Sequence, residues 1–297
     1  MIAPNPARKT AANNPERISI SILKIITLYN RGMPELIFLK LGGSLITDKT
    51  RPYTPRLDVL KRLAIEIADA QHTAPGLSLV LGHGSGSFGH TAAKKHGTRQ
   101  GVAGIEAWQG FTEVWWQASQ LNRYVMQSLR EAGIPALALA PVSAVTARDG
   151  RIAHWDLAPL RSALSAGLLP VVYGDVIFDE ARGGTILSTE DLFEHLAVEL
   201  QPRRILLAGL EEAVWADFPA NTRRVECITP LSFEALRSNV GGSHGADVTG
   251  GMESKVRQML ELVGKIPGLQ AQIFSGETPD HLKRVLAREH LGTIIKQ

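Results

Sequence analysis

The chain has 297 residues, 44% apolar and 21% charged, with 28 Gly, 16 Pro and one Cys, a composition that excludes disorder, collagen and coiled coil and suits one large domain or two. No run approaches the ~20 apolar residues that cross a bilayer, and the lone Cys227 excludes an internal disulfide or a multi-thiolate zinc site, so a cytoplasmic home and no membrane partner are expected. The net charge of +3 is uneven: residues 1–32 hold five bases and one acid, the other 265 residues 27 bases and 28 acids, and a body this close to neutral lacks the basic stripe of a nucleic-acid partner.

Residues 1–32 read as an extension that stops at Arg31-Gly32-Met33, either the result of a start codon upstream of a natural start at Met33 or an arm on the body. The extension lacks an apolar core followed by a small-residue cleavage site, so no secretory signal is expected. Beyond it, strand-length apolar runs alternate with helical patterns. The predicted strands are Leu36 to Lys40, Leu77 to Leu81, Ala136 to Ala140, Leu169 to Tyr173, Arg204 to Leu207 and Ala271 to Phe274. The predicted helices carry Leu57, Leu60, Ala64 and Ile67 on one face, then span Ile105 to Arg130, Asp191 to Leu200, Met252 to Val263 and Pro279 to Glu289. Strands apolar on both faces and separated by helices predict a three-layer αβα sandwich with a largely parallel central sheet. Ligands of such sheets bind beyond the carboxyl ends of the strands, where Gly42-Gly43, Gly82 to Gly89, Gly174 and Gly209 fall.

Three strand-end or helix-start segments carry chemistry. Lys40-Leu41-Gly42-Gly43-Ser44 places a lysine and a bare backbone turn after the first strand, a combination suited to phosphate, and Lys49 brings a second ammonium near it. Gly84, Gly86 and Gly89 spell G-x-G-x-x-G with Ser85 between the first two and His83 and His90 on the shoulders. The spelling is that of a dinucleotide loop, but it opens the second βα unit and no strand-end acid follows, so a nicotinamide enzyme is the lesser reading and an amide-lined anion loop the better one. The third segment, Asp247-Val248-Thr249-Gly250-Gly251-Met252-Glu253-Ser254-Lys255, opens a helix with a lysine in its early turns, a placement the helix dipole disfavours unless a polyanion lies between. Lys40, Lys49 and Lys255 together suit a triphosphate.

On these segments, together with Asp48-Lys49, the Phe88-Gly89-His90 ending and Pro170-Val171-Val172-Tyr173-Gly174-Asp175, residues 33–297 resemble the amino acid kinase family, most narrowly its branch acting on isopentenyl phosphate. The resemblance implies one domain with an acceptor half at about 33–175 and a nucleotide half at about 176–297, a homodimer, and ATP- and Mg²⁺-dependent conversion of isopentenyl phosphate to isopentenyl diphosphate. It assigns Lys40, Gly42, Gly43, Ser44, Lys49, Asp247, Gly250, Gly251 and Lys255 to ATP, and Gly84, Ser85, Gly86, His90, Phe111, Gly174 and Asp175 to the acceptor. Lys40, Lys49, His90 and Lys255 would be catalytic, no side chain being assigned to a metal. The acceptor's tail would lie against Trp108, Phe111, Val114 and Trp115, and Lys40→Ala or His90→Ala would leave the fold intact.

The chain departs from the family pattern at Gly84-Ser85-Gly86, at Ser188-Thr189-Glu190-Asp191 and at Gly209-Leu210-Glu211-Glu212-Ala213-Val214. The last element would border the nucleotide. A fosfomycin-type kinase and a nucleotide-binding sensor without turnover are the alternative functions.

Overall fold

All six strands read from the sequence lie side by side in one sheet of the computed structural model, which describes residues 35–236 and 251–297. In chain order the elements are β1 (Leu36–Leu41), α1 (Gly43–Ile46), α2 (Leu57–Thr73), β2 (Ser78–His83), α3 (Gly86–His96), α4 (Gly104–Glu131), β3 (Ala136–Ala138), a 3-10 turn (Pro141–Ser143), β4 (Val145–Arg148), β5 (Arg151–Trp155), α5 (Ala158–Ser165), β6 (Leu169–Tyr173), β7 (Asp175–Asp179), β8 (Gly183–Leu187), α6 (Thr189–Leu200), β9 (Arg204–Gly209), β10 (Val214–Trp215), β11 (Arg224–Val225), β12 (Cys227–Ile228), α7 (Pro230–Leu236), α8 (Gly251–Lys265), β13 (Gln270–Ser275), α9 (His281–Leu286) and β14 (Thr293–Ile295). The large sheet has the order β12-β14-β13-β9-β1-β2-β6-β3; every pairing from β13 to β3 is parallel, and β14 runs antiparallel to β13.

The two-residue period of β1 shows why the run Leu36 to Leu39 is apolar throughout. Phe38 joins Val80, Phe193 of α6 and Val256 of α8 on one face, while Ile37, Leu39 and Leu41 join Leu63 of α2, Leu121 of α4 and Leu282 of α9 on the other. Helices on both faces leave no strand side for water, and each large side chain so enclosed contributes roughly 1.5–3 kcal/mol. The expected αβα sandwich is therefore the observed one. The start of α6 is fixed locally by a capping box in which Ser188 and Asp191 each bind the other's backbone N–H.

Two parts of the fold differ from the sequence reading. A smaller sheet of order β5-β4-β7-β8 lies outside the six predicted strands; its strands carry Asp175, Asp179, Gly183 and Gly184, and Asp179 accepts the N–H groups of Asp149, Gly150, Ala181 and Arg182 that tie its turns together. The last helix covers Leu282, Val285 and Leu286 but stops before Arg288, whose φ of 71° breaks the helical path. Asp247, Gly250 and the 1–32 extension lie outside the described residues. No helix among those described is long and apolar enough to cross a membrane.

Candidate active site

Register aligns the three strand ends that matter: Leu41 of β1 lies opposite His83 of β2, and His83 opposite Tyr173 of β6. The loops after β1 and β2 then meet backbone to backbone. A Cβ on Gly43 would stand 2.6 Å from Cα of Gly86, and one on Gly84 would stand 2.8 Å from N of Gly43, so only glycine permits this approach. Gly43→Ala is expected to push the loops apart at a cost of roughly 1–3 kcal/mol and to lower turnover far more than that loss of stability would; a melting curve measured beside the rate separates the two effects.

The contact of the two loops decides which amides remain for an anion. The N–H of Gly42 donates to the Ala208 carbonyl at 2.8 Å, that of Gly84 to Leu41 at 3.0 Å, and that of Gly174 to His83 at 3.3 Å. Gly84 and Gly174 therefore brace the loops, and the expectation that their amides bind phosphate gives way to the amides that begin α1 and α3: Gly43, Ser44, Ser85 and Gly86. The first N–H groups of a helix have no partner within it.

Lys40 follows Phe38 onto the α6 side of the sheet, where its ammonium, 7% exposed, forms an ion pair with the equally buried Glu190. Burial alone would disfavour a charged Glu190, but the charge and hydrogen bond of Lys40, reinforced by the charge of Lys255, outweigh it and hold the carboxyl below its usual range. Lys255, Glu190, Arg99 and Asp191 line a cleft of about 260 Å³. Arg99 reaches Asp191 at 3.3 Å. Thr189 is locked beside the pair by donating its hydroxyl to the His83 carbonyl at 2.6 Å.

Lys49 is not part of this group. It is exposed and lines a second cleft of about 410 Å³ with Ser44, Arg51, Arg56 and Leu210. Its turn is shaped by Asp48, whose carboxylate accepts from Thr50 N and Oγ1 at 2.8 and 2.6 Å and from Arg51 Nε at 2.7 Å. Those bonds, the Thr50 hydroxyl's first, hold Asp48 well below the usual carboxylate range. The element that departs from the family pattern after β9 borders the same cleft through Leu210, 42% exposed, while Glu212 pairs with Arg224 at 3.3 Å.

His90 lies half-buried in the second turn of α3. Phe111 is buried with Val102, Val114 and Val176, and its ring stands 5.2 Å from that of Trp108 and 5.3 Å from that of Phe178. Trp115, expected on the same apolar face, instead turns outward beside Trp116. Asp175 is also displaced from the expected role, being 1% exposed, with its Oδ1 accepting the Val176 N–H at 2.9 Å. A carboxyl so enclosed holds backbone rather than touching a ligand. In the sequence Glu190 stands out only as a departure from the family pattern and Arg99 not at all, because a buried acid 150 positions from its lysine leaves no local spacing signal.

A lysine-bearing strand end, two glycine loops in backbone contact and a second lysine at the edge of one cleft define an α/β enzyme that handles phosphoryl groups. The chain belongs to the amino acid kinase family, whose model matches residues 35–275. It is 35% identical over 272 residues to the isopentenyl phosphate kinase of Methanothermobacter thermautotrophicus, covering 88% of this chain and 98% of that protein. It is 36% identical over 261 residues to the isopentenyl phosphate kinase of Haloferax volcanii, with the same coverage of both chains. Among solved structures, an isopentenyl phosphate kinase superposes with a TM-score of 0.73 at 30% identity, covering 88% of this chain and 100% of that one. The product complex of the T. acidophilum enzyme superposes with a TM-score of 0.69 at 21% identity, a likeness of fold.

Proposed function

We propose that the protein transfers the γ-phosphoryl group of ATP to isopentenyl phosphate, releasing ADP and isopentenyl diphosphate. The observation that carries this reading is the anion loop ending in Phe88-Gly89-His90, set beside the buried Lys40, in a chain that matches isopentenyl phosphate kinases over nearly their whole length. A phosphate monoester is already an oxyanion at neutral pH and needs no general base. Its oxygen attacks the γ-phosphorus as the bond to the β–γ bridging oxygen breaks, and the electron pair leaves with ADP. The task of the protein is to hold two mutually repelling anions in line and to absorb the charge that develops between them.

In this reading Lys40, paired with Glu190 of the first cleft, and Lys49, from the second, meet the transferring group, Lys255 meets the nucleotide phosphates at the head of α8, and the Gly43 and Ser44 amides support them. Ser85, Gly86 and His90 receive the acceptor phosphate, and Phe111 with Trp108 backs its apolar tail. The described residues contain no cluster of three His, Cys, Asp or Glu able to hold a metal, and Glu190 and Asp191 are committed to Lys40, Ser188 and Arg99. Mg²⁺ is therefore proposed as a companion of the ATP phosphates, which suits an ion that keeps most of its ligands from water and substrate. The two halves of residues 33–297 and a homodimer remain parts of the proposal.

The test is ADP release with ATP and Mg²⁺ in the presence and absence of isopentenyl phosphate. Release that depends on the acceptor, with isopentenyl diphosphate as product, is expected; release only with another acceptor, or ATP binding without release, would overturn the substrate or the activity. His90→Ala is expected to lower kcat/KM by about 10²-fold or more, the usual loss when a donor to a reacting oxyanion is removed, with an unchanged melting temperature. Near-normal turnover would remove His90 from the site.

A further inference from the structure

His83, the last residue of β2, is buried beneath the acceptor loop rather than beside it. It is 1% exposed and its ring stacks on Tyr173 at 5.3 Å with 10° between planes. Nδ1 lies 3.2 Å from the Gly84 carbonyl oxygen and Nε2 lies 3.2 Å from Oδ1 of the Asn122 side-chain amide on α4. Burial, ahead of the two hydrogen bonds that oppose it and aided by the positive charge of Lys40, pushes the imidazole pKa down. The ring is neutral and has one proton to give. A carbonyl can only accept, so that proton sits on Nδ1; Nε2 then accepts, and Asn122 satisfies it with its NH₂ by a half-turn of the amide.

This bond orients the peptide that follows. The Gly84–Ser85 link is trans, Phe218–Pro219 being the cis bond among the described residues, and in a trans peptide the C=O and the next N–H point in opposite directions. With the Gly84 carbonyl held toward the buried ring, the Ser85 N–H is aimed away from it. Ser85 has φ −82° and ψ −10°, and Gly86 has φ +49°. Successive residues of opposite hand turn consecutive N–H groups toward one concavity that accepts an anion. The third N–H of this series, on Ser87, already donates to Thr47 Oγ1 at 3.0 Å, leaving those of Ser85 and Gly86 for a ligand.

We propose that His83 is a positioning residue for the acceptor phosphate: by donating Nδ1–H to the Gly84 carbonyl it keeps the Ser85 amide turned to the ligand. This rests on the acceptor site described above. The decisive comparison is between His83→Phe, which keeps the ring stack but has no donor, and His83→Asn, whose amide nitrogen can take the place of Nδ1. Expected for His83→Phe is a KM for isopentenyl phosphate raised about tenfold, the worth of one hydrogen bond to a charged group, with the KM for ATP unchanged and most of the loss restored in His83→Asn. In ¹⁵N TROSY spectra titrated with inorganic phosphate, the Ser85 amide is expected to shift in the wild type and not in His83→Phe. Equal effects on both KM values, an Asn variant no better than Phe, or a Ser85 amide in the wild type that ignores phosphate would overturn the proposal. Should His83→Phe not fold, His83→Leu, close in size to the Asn variant and likewise without a donor, is read in the same way against His83→Asn. A wild type inactive toward isopentenyl phosphate would remove that substrate, while the phosphate titration would still decide His83.

Discussion

Lys40→Ala is expected to lower turnover by about 10³-fold and also to cost roughly 3–5 kcal/mol of stability. The sequence alone suggests a functional lysine whose loss spares the fold; the structure changes that expectation. Lys40 and Glu190 are both buried, and each neutralises the other. Removing the ammonium leaves a carboxylate out of water without its partner, and stripping one member from such a pair costs far more than the intact pair contributes. Adding Glu190→Gln to Lys40→Ala removes the stranded charge, so the double variant is expected to regain most of the lost stability while remaining inactive. Melting curves and turnover measured on the single and double variants check both halves. A single variant as stable as wild type would mean that the pair is not buried in solution, and an active double variant would remove Lys40 from the chemistry.

Asp175→Asn is expected to raise stability at pH 8 by about 4 kcal/mol and to change it little near pH 4. Burial pushes the Asp175 carboxyl up to about 7, against backbone hydrogen bonds from Val176 and Val142 that favour the charge. The folded protein therefore holds this proton more tightly than the unfolded chain, where the group titrates near 3.8. Its stabilising contribution is complete below about pH 4, declines as the pH rises, and is gone once the pH passes about 7, where folding carries the cost of a buried charge, about 4 kcal/mol at ~1.4 kcal/mol per tenfold. Asparagine keeps the shape and the acceptor for the two N–H groups. Oδ2 has no hydrogen-bond partner among the described residues, so the protonated acid and the amide each leave a donor without an acceptor, and the two are matched at low pH. Urea titrations of both proteins at pH 5, 6.5 and 8 should show the gap widening with pH; a constant gap would show that Asp175 titrates normally.

How much of this molecule is legible in its sequence follows from the range of the forces involved. Apolar runs bounded by glycine are local signals, and the six predicted from them are the strands that pair in parallel from β13 to β3, because a strand covered on both faces is apolar at nearly every position. The strand-end glycines and Lys40 were legible for the same reason, since their roles depend on immediate neighbours. Polar strands defeated this reading: β7 begins and ends with an aspartate, Asp175 enclosed against the turn that ends at Ser143 and Asp179 spent on backbone N–H groups of two turns.

Length, composition and pattern by themselves determined the class of fold, and pointed to the sheet edge and the phosphate chemistry expected there. Only the tertiary structure decided that Lys40 meets Glu190 across 150 residues, that Lys49 borders a different cleft from Lys255, that the Gly84 and Gly174 amides are spent on neighbouring strands, and that His83 lies beneath the loop as a neutral ring. Each of these is set by distance and burial between residues far apart in the chain, and a side chain's charge and hydrogen-bond partners depend on what packs against it rather than on what precedes it.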